Sequence, residues 1–94
     1  MKIEWHPLAR LDLLEMISYI SDDSPEAAER VLEEIERQSG LLGGMPEMGR
    51  PGRCRGTREL VIHGTPYIAA YRIAKDRVVI LRVLHGARRW PASL

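Results

Sequence analysis

The sequence predicts an α+β domain, in which an antiparallel β-sheet of about four strands is flanked by an N-terminal helical hairpin. Residues Lys2–Trp5 alternate polar and apolar side chains, which is the period of a half-buried strand. Apolar side chains then recur every three or four positions as far as Leu42, as expected of helices packed on a core. Three strand-like runs follow, so the predicted order is β-α-α-β-β-β. The 94 residues suffice for one domain, Met1–Leu94.

The first helix is expected over Pro7–Asp22. Proline fits the first turn of a helix, because its missing N–H group would have no partner there. One face of this helix is apolar and consists of Ala9, Leu13, Met16, Ile17 and Ile20. Three further leucines lie outside that face: Leu8, Leu11 and Leu14. The helix therefore has more apolar surface than one packing partner needs.

The second helix is expected over Pro25–Leu42. Ser24 is a suitable N-cap, and Pro25 fits the first helical position. A single apolar face is formed by Ala28, Val31, Leu32, Ile35 and Leu42. Because the connection between the two helices is so short, we expect them to form an antiparallel hairpin.

The remaining residues predict a loop followed by strands. Gly40–Gly56 holds six of the eight glycines and is expected to be a loop. The strand-like runs are Arg58–His63, Tyr67–Ala74 and Arg77–His85, with connections of hairpin length between them. The last run is apolar on both faces at Val78–Leu81, which predicts an interior strand that is covered on both sides.

Charge is distributed unevenly along the chain. The formal net charge is only +1, but residues 1–49 carry 4 basic and 11 acidic side chains, and residues 50–94 carry 10 and 2. This uneven distribution indicates a basic functional surface joined to an acidic scaffold. The overall composition, 45% hydrophobic and 29% charged, is that of a globular protein.

Several classes of function are disfavoured by what the sequence lacks. His6, His63, His85 and Cys54 do not have the spacing of metal ligands, so we expect no metal site and no cofactor. Neither a nucleophile elbow nor a phosphate-binding glycine loop is present. One cysteine excludes an internal disulfide. Without a signal peptide or an apolar span, we expect a cytoplasmic protein that does not associate with membranes.

The arginines of the second half are the strongest functional signal. Arginine pairs bidentately with phosphates and carboxylates, so the partner would be a nucleic acid or an acidic protein surface. A solvated basic surface explains only some of them. Trp90, directly after Arg88 and Arg89, would stack on a base, anchor a protein contact or pack at the edge of the core. His85 is either a general acid or base or a structural residue at a strand end.

The strand sequences resemble those of the RelE/ParE superfamily of bacterial toxins. The similarity lies in Arg58–Val61, Tyr67–Ile73 and Val78–Arg88, in Ala9, Asp12, Leu13 and Ile17 of the first helix, and in the loop from Pro46 to Gly49. It covers nearly the whole chain. The combination of a Tyr-Arg-Ile strand with a following Val-Leu-His-x-x-Arg is specific for a chain of this length.

The resemblance implies a toxin of a type II toxin–antitoxin (plasmid stabilisation) system, which a cognate antitoxin neutralises by direct binding. RelE-like members cleave mRNA in the ribosome, with basic residues on the sheet and often a C-terminal tyrosine or histidine. ParE-like members lack that set and inhibit DNA gyrase. Here Ile68 follows Tyr67, where RelE-like toxins commonly have a basic residue, and no tyrosine follows His85. We therefore favour the ParE-like branch, acting by binding and without confident catalytic residues.

These considerations give a set of candidate residues. The target would be bound by Arg72, Arg82, His85, Arg88, Arg89 and Trp90. The antitoxin would cover the surplus leucines Leu8, Leu11 and Leu14, since an exposed apolar patch tends to mark a protein interface. The first alternative is a metal-independent, ribosome-dependent mRNA endonuclease that uses Arg82, His85 and Arg88. The second is a non-toxic nucleic-acid-binding module.

Overall fold

The computed structural model describes the whole chain, Met1–Leu94, and contains two α-helices, one 3₁₀ turn and five strands. One strand precedes the helices and four follow them. The helices are α1 (Pro7–Ser21) and α2 (Pro25–Gly40), and the 3₁₀ turn spans Leu41–Gly43. The strands are β1 (Lys2–Trp5), β2 (Arg50–Pro51), β3 (Arg58–Val61), β4 (Tyr67–Ile73) and β5 (Arg77–His85). The predicted α+β class and helical hairpin are confirmed.

Both helices begin at the predicted prolines, and each has a side-chain cap. The Oγ of Ser24 accepts a hydrogen bond from the N–H of Ala27 at 3.1 Å, as expected of an N-cap. At α1 the cap is His6, whose Nδ1 accepts from the N–H of Leu8 at 3.1 Å. The sequence did not identify this cap, because histidine is not one of the residues preferred there.

The sheet differs from the predicted one in strand number and in one direction. Its order is β1-β5-β4-β3-β2, and β1 runs parallel to β5 while every other pair is antiparallel. A parallel pair needs a long crossover connection, which the helical hairpin provides. Polar–apolar alternation predicts a strand but not its direction, so a wholly antiparallel sheet was the wrong expectation.

The extra strand, β2, lies in the predicted loop. It has only two residues, Arg50 and Pro51, which pair with Glu59 and Arg58 of β3 at the edge of the sheet. A proline cannot donate to a ladder and is tolerated at such an edge. β5 lies between β1 and β4 and buries Val78–Leu81, which confirms that the last strand is interior.

The two faces of the sheet are covered differently. The helices cover the face that carries Tyr71 and Ile80, both 0% exposed and part of one core with Ile35 of α2. Side chains alternate along a strand, so the buried Leu84 belongs to the opposite face. The loop before β3 contacts the C-terminal segment, since Cys54 is buried and its thiol lies 3.7 Å from the Pro91 carbonyl oxygen.

Candidate functional site

A buried carboxylate on α1 holds the middle of β5. Oδ2 of Asp12 accepts from Nε of Arg82 at 2.7 Å, and Oδ1 accepts from its terminal nitrogen at 2.9 Å. Oδ2 also accepts the backbone N–H of Val83 at 3.0 Å. The hydrogen bond with Asp12 raises the pKa of Arg82 above its ordinary value. One edge of this guanidinium, Nε and one terminal nitrogen, is therefore occupied by an internal partner.

A β-bulge lies next to this ion pair. Ala70 pairs with Arg82 and Tyr71 pairs with Ile80, so β5 has one extra residue, Leu81. Bulges bend a strand and change the direction of the side chains that follow. Here the bulge places Val83 in the core under the helices, and His85, two positions on, on the same face.

His85 lines a groove of about 490 Å³ between α1 and the ends of β4 and β5. Its ring packs edge-on against Tyr67, with centroids 5.6 Å apart and an interplanar angle of 78°. Its Nδ1 accepts the N–H of Ala87 at 3.1 Å, so a neutral ring carries its proton on Nε2. Its carbonyl oxygen accepts from the N–H of Arg88 at 3.0 Å. His85 thus organises the turn that ends β5.

Three of the predicted target-binding arginines are exposed and take part in no salt bridge: Arg72, Arg88 and Arg89. Arg88 borders the groove beside His85. Arg72 lies on β4 opposite the buried Val79. These cations are available to a partner, whereas the structure places Arg82 in an internal ion pair. The arrangement does not bring Arg82 together with the other arginines as one open cluster.

Trp90 stacks on an arginine that binds a second buried carboxylate, that of Glu59. The Cζ atom of Arg53 is 3.8 Å from the centre of the Trp90 ring. Arg53 and Arg50 both bind Glu59, which is 3% exposed, and the closest nitrogen–oxygen distance of each salt bridge is 3.0 Å. Burial raises the pKa of Glu59, but the hydrogen bonds from the two arginines outweigh burial and hold it below its usual value.

The three surplus leucines lie on the outside of α1. The exposed fractions are 49% for Leu8, 48% for Leu11 and 65% for Leu14, and Tyr19 on the same helix is 77% exposed. Residues of this size are seldom left so open in a row on a helix, since burying each of them is favourable. The apolar surface that the sequence predicted is therefore present and uncovered in the chain.

Sequence reasoning missed the roles of Asp12, Arg53 and Glu59. A signal existed for both acids: Asp12 falls on the apolar core face of α1, and Glu59 is one of two acids in the basic half. A carboxylate at a buried position requires a charged or hydrogen-bonding partner. The identity of that partner depends on distant contacts, which periodicity does not reveal.

Two further properties bear on the kind of site. No group of three or more His, Cys, Asp or Glu side chains lies close enough to hold a metal ion. Neither helix has the length and hydropathy that a membrane span requires.

Comparison with known proteins identifies the family. Residues 3–90 match the sequence model of the ParE toxin of type II toxin–antitoxin systems, parDE. The chain belongs to the ParE toxin family. This match covers both helices, the sheet from the second residue of β1 onward and the turn with His85 and Arg88, so the fold described above is that of a RelE/ParE-superfamily toxin.

Individual relatives agree with this assignment. Y4kP of Sinorhizobium fredii, which carries a provisional toxin name, is 45% identical over 99% of this chain and 96% of its own length. Toxin RelE3 of Caulobacter vibrioides is 32% identical over 93% of the chain and 96% of its own. The solved structure titled "Chromosomal ParDE TA system from P. aeruginosa" superposes with a TM-score of 0.79 at 28% identity, over 88% of this chain and 92% of that one. The ParE-family protein is thus a type II toxin, whose context implies an antitoxin partner.

Proposed function

We propose that this ParE-family toxin arrests growth by binding DNA gyrase, and that its cognate antitoxin neutralises it by direct binding. The target contact is assigned to Arg88 and Arg89, with His85 and Trp90 in the same segment, and to the exposed Arg72 of β4. Arginine side chains that have no internal partner are suited to bind carboxylates or phosphates of a partner. The antitoxin contact is assigned to Leu8, Leu11 and Leu14.

The observation that carries this proposal is the ion pair between Asp12 and Arg82. A ribonuclease without a metal needs a group that takes the 2′-OH proton and cations that stabilise the charge of the phosphorane. Of the three residues that a nuclease would use, Arg82 has one edge of its guanidinium, Nε and one terminal nitrogen, bound by Asp12. His85 uses Nδ1 for the turn, which leaves only Nε2 and the side chain of Arg88 for chemistry. Binding is therefore better supported than catalysis.

Ribosome-dependent mRNA cleavage remains the second candidate. His85 and Arg88 both border the groove beside α1, so one titratable group and one cation do face the same space. Two relatives from Caulobacter vibrioides also bear the name RelE, at 32% and 34% identity. A non-toxic nucleic-acid-binding module is less well supported, because the family match is to toxins.

The antitoxin assignment is supported by exposure and by position. Leu11 and Leu14 are exposed on α1, whereas Ala9 and Met16 of the same helix are buried in the core. Leu8 is also half exposed and borders a groove with Leu81 and Arg82 of β5. Covering a half-exposed leucine stabilises a complex without disturbing the fold. A partner that supplies apolar side chains to this surface fits the antitoxin of a type II system.

The test is induced expression of the full chain in a growing bacterium, followed by assays of the purified protein. We expect growth arrest with inhibited supercoiling by purified gyrase and with intact mRNA. Growth arrest with site-specific, translation-dependent mRNA cleavage would favour the second candidate. Co-expression of the small protein encoded beside the toxin gene is expected to restore growth.

A further inference from the structure

One aromatic side chain, Trp90, links the turn after β5 to the loop that contains Arg53. The guanidinium of Arg53 stacks on the Trp90 ring at 3.8 Å, which is a cation–π contact. The indole N–H of Trp90 donates to the carbonyl oxygen of His85 at 3.4 Å. Arg88 and Arg89 lie between these anchor points. Their backbone is thus closed into a turn that rests on the loop containing Arg53.

Arg53 is in turn held by the sheet. Its Nε donates to Oε2 of Glu59 at 3.0 Å, its terminal nitrogen donates to Oε1 at 3.2 Å, and its backbone N–H donates to Oε2 at 2.8 Å. Glu59 lies on β3 and is 3% exposed, so the surrounding protein holds its carboxylate in place. A planar guanidinium bonded along one edge keeps its face free for stacking. A continuous chain of contacts therefore runs from β3 through Arg53 to Trp90.

We infer that Arg53 is a positioning residue for target binding, which holds Arg88 and Arg89 in the conformation that meets an acidic partner surface. This inference rests on the proposed function. Arg53 acts through Trp90 and needs no contact with the target. A segment that is already ordered loses less conformational entropy on association, so the stack raises affinity without adding an intermolecular contact.

The chain contains a matched control. Arg50 binds the same carboxylate, with Nε at 3.3 Å and a terminal nitrogen at 3.0 Å from Oε1 of Glu59. It carries the same charge and is similarly exposed, 54% against 42% for Arg53, but the cation–π contact belongs to Arg53. Arg53→Gln and Arg50→Gln each leave Glu59 with one arginine. Arg53 bonds both oxygens of Glu59 and Arg50 bonds one, so the comparison with Trp90→Leu is what assigns a difference between these variants to the stack.

The experiment measures amide hydrogen exchange at Ala87 and Arg88 and the concentration that half-inhibits supercoiling by purified gyrase. For Arg53→Gln we expect exchange faster and inhibition weaker by about two- to fivefold, the size of one exposed cation–π contact. Trp90→Leu loses both the stack and the indole hydrogen bond to His85, so its effects are expected to be at least as large. Adding Arg53→Gln to Trp90→Leu is expected to change nothing further, since the stack is already lost. Arg50→Gln should leave the exchange of these two amides unchanged.

Equal effects of Arg53→Gln and Arg50→Gln, or additive effects of Arg53→Gln and Trp90→Leu, would overturn the inference. So would faster exchange with undiminished inhibition, because the turn would then be irrelevant to the target. If the wild type does not inhibit gyrase, the proposed target is wrong. The same variants are then compared by growth arrest at graded induction, where an unweakened Arg53→Gln would refute the positioning role separately.

Discussion

Asp12 on α1 and Arg82 on β5 are joined by two hydrogen bonds of 2.7 and 2.9 Å, although 70 residues separate them in the chain. The Asp12 carboxylate is buried, and the side chain of Arg82 is 25% exposed. The same carboxylate binds the N–H of Val83, so it attaches α1 to the strand on the far side of the bulge. This pair engages one edge of the Arg82 guanidinium inside the molecule.

Breaking this pair is expected to destabilise the fold. Arg82→Met leaves a buried carboxylate without its cation and should lower the free energy of unfolding by about 2–4 kcal/mol, less than for a fully buried pair. Asp12→Asn/Arg82→Met removes both charges, and the asparagine oxygen still accepts from Val83. The double variant should be more stable than Arg82→Met in urea denaturation and should still arrest growth. A folded double variant without toxicity would mean that Arg82 acts at the target.

The exposed leucines of α1 give a prediction for the antitoxin. Leu11→Glu and Leu14→Glu should each weaken antitoxin binding by about tenfold or more. Each puts a carboxylate where the antitoxin would otherwise bury an apolar side chain. Val61→Glu on β3 is the control, because Val61 is 49% exposed, much as Leu11 is. Isothermal titration of folded variants provides the comparison. Equal affinity for all three variants would place the antitoxin elsewhere.

The buried Glu59 predicts a dependence of stability on pH. Its pKa is held below the ordinary value of 4.5 in the folded state, so its stabilising contribution is complete above that value and is lost as the pH falls through the lower folded pKa. The stability difference between wild type and Glu59→Gln should therefore shrink from about pH 6 to about pH 3. A difference that stays constant over this range would show that the ionised carboxylate is not what matters.

The loop before β2 depends on a glycine. A Cβ at Gly49 would lie 2.7 Å from the Tyr71 ring and 2.9 Å from the Glu59 carbonyl oxygen. The N–H of Gly49 donates to the Tyr71 hydroxyl at 2.9 Å, and this hydroxyl donates to the Pro46 carbonyl oxygen at 2.6 Å. Gly49→Ala should cost about 2–4 kcal/mol through overpacking and the disturbed hydrogen bonds.

Gly40 provides the comparison for that substitution. It ends α2, and a Cβ there would meet nothing within 4 Å. Gly40→Ala should be neutral or stabilising by up to about 1 kcal/mol, because alanine favours the helix. Urea midpoints of the two variants measure the difference. Similar midpoints would mean that the contact with Tyr71 does not constrain the loop.

Features that depend on residues close together in the sequence could be predicted. The apolar period and the Ser24 cap predict α2, whose bounds agree within two residues with the expected Pro25–Leu42. The strand direction of β1 and the pairing of Arg50–Pro51 depend on which distant strand lies alongside. Nothing in the local pattern specifies that neighbour, which is why the parallel pair and the edge strand were not predicted.

The same limit applies to the candidate site. Counting arginines predicts a basic surface but does not distinguish a free arginine from a paired one. Arg72 and Arg88 are free, whereas Arg82 and Arg53 are held by Asp12 and Glu59. Asp12 and Arg82 are 70 residues apart in the sequence. The position of Asp12 on a helix face gave no reason to connect it with a strand residue. The exposed leucines were predictable, because a helix has a defined face toward its core.

We propose that this ParE-family toxin acts by binding gyrase and not by cleaving mRNA. The most direct measurement compares His85→Gln with Arg88→Ala/Arg89→Ala, each checked for folding, for inhibition of gyrase supercoiling and for translation-dependent mRNA cleavage. We expect gyrase inhibition that persists in His85→Gln and falls in the double arginine variant, which loses two cations. Site-specific mRNA cleavage by the wild type, reduced about 10²–10⁴-fold by His85→Gln as for a lost general acid or base, would contradict the claim.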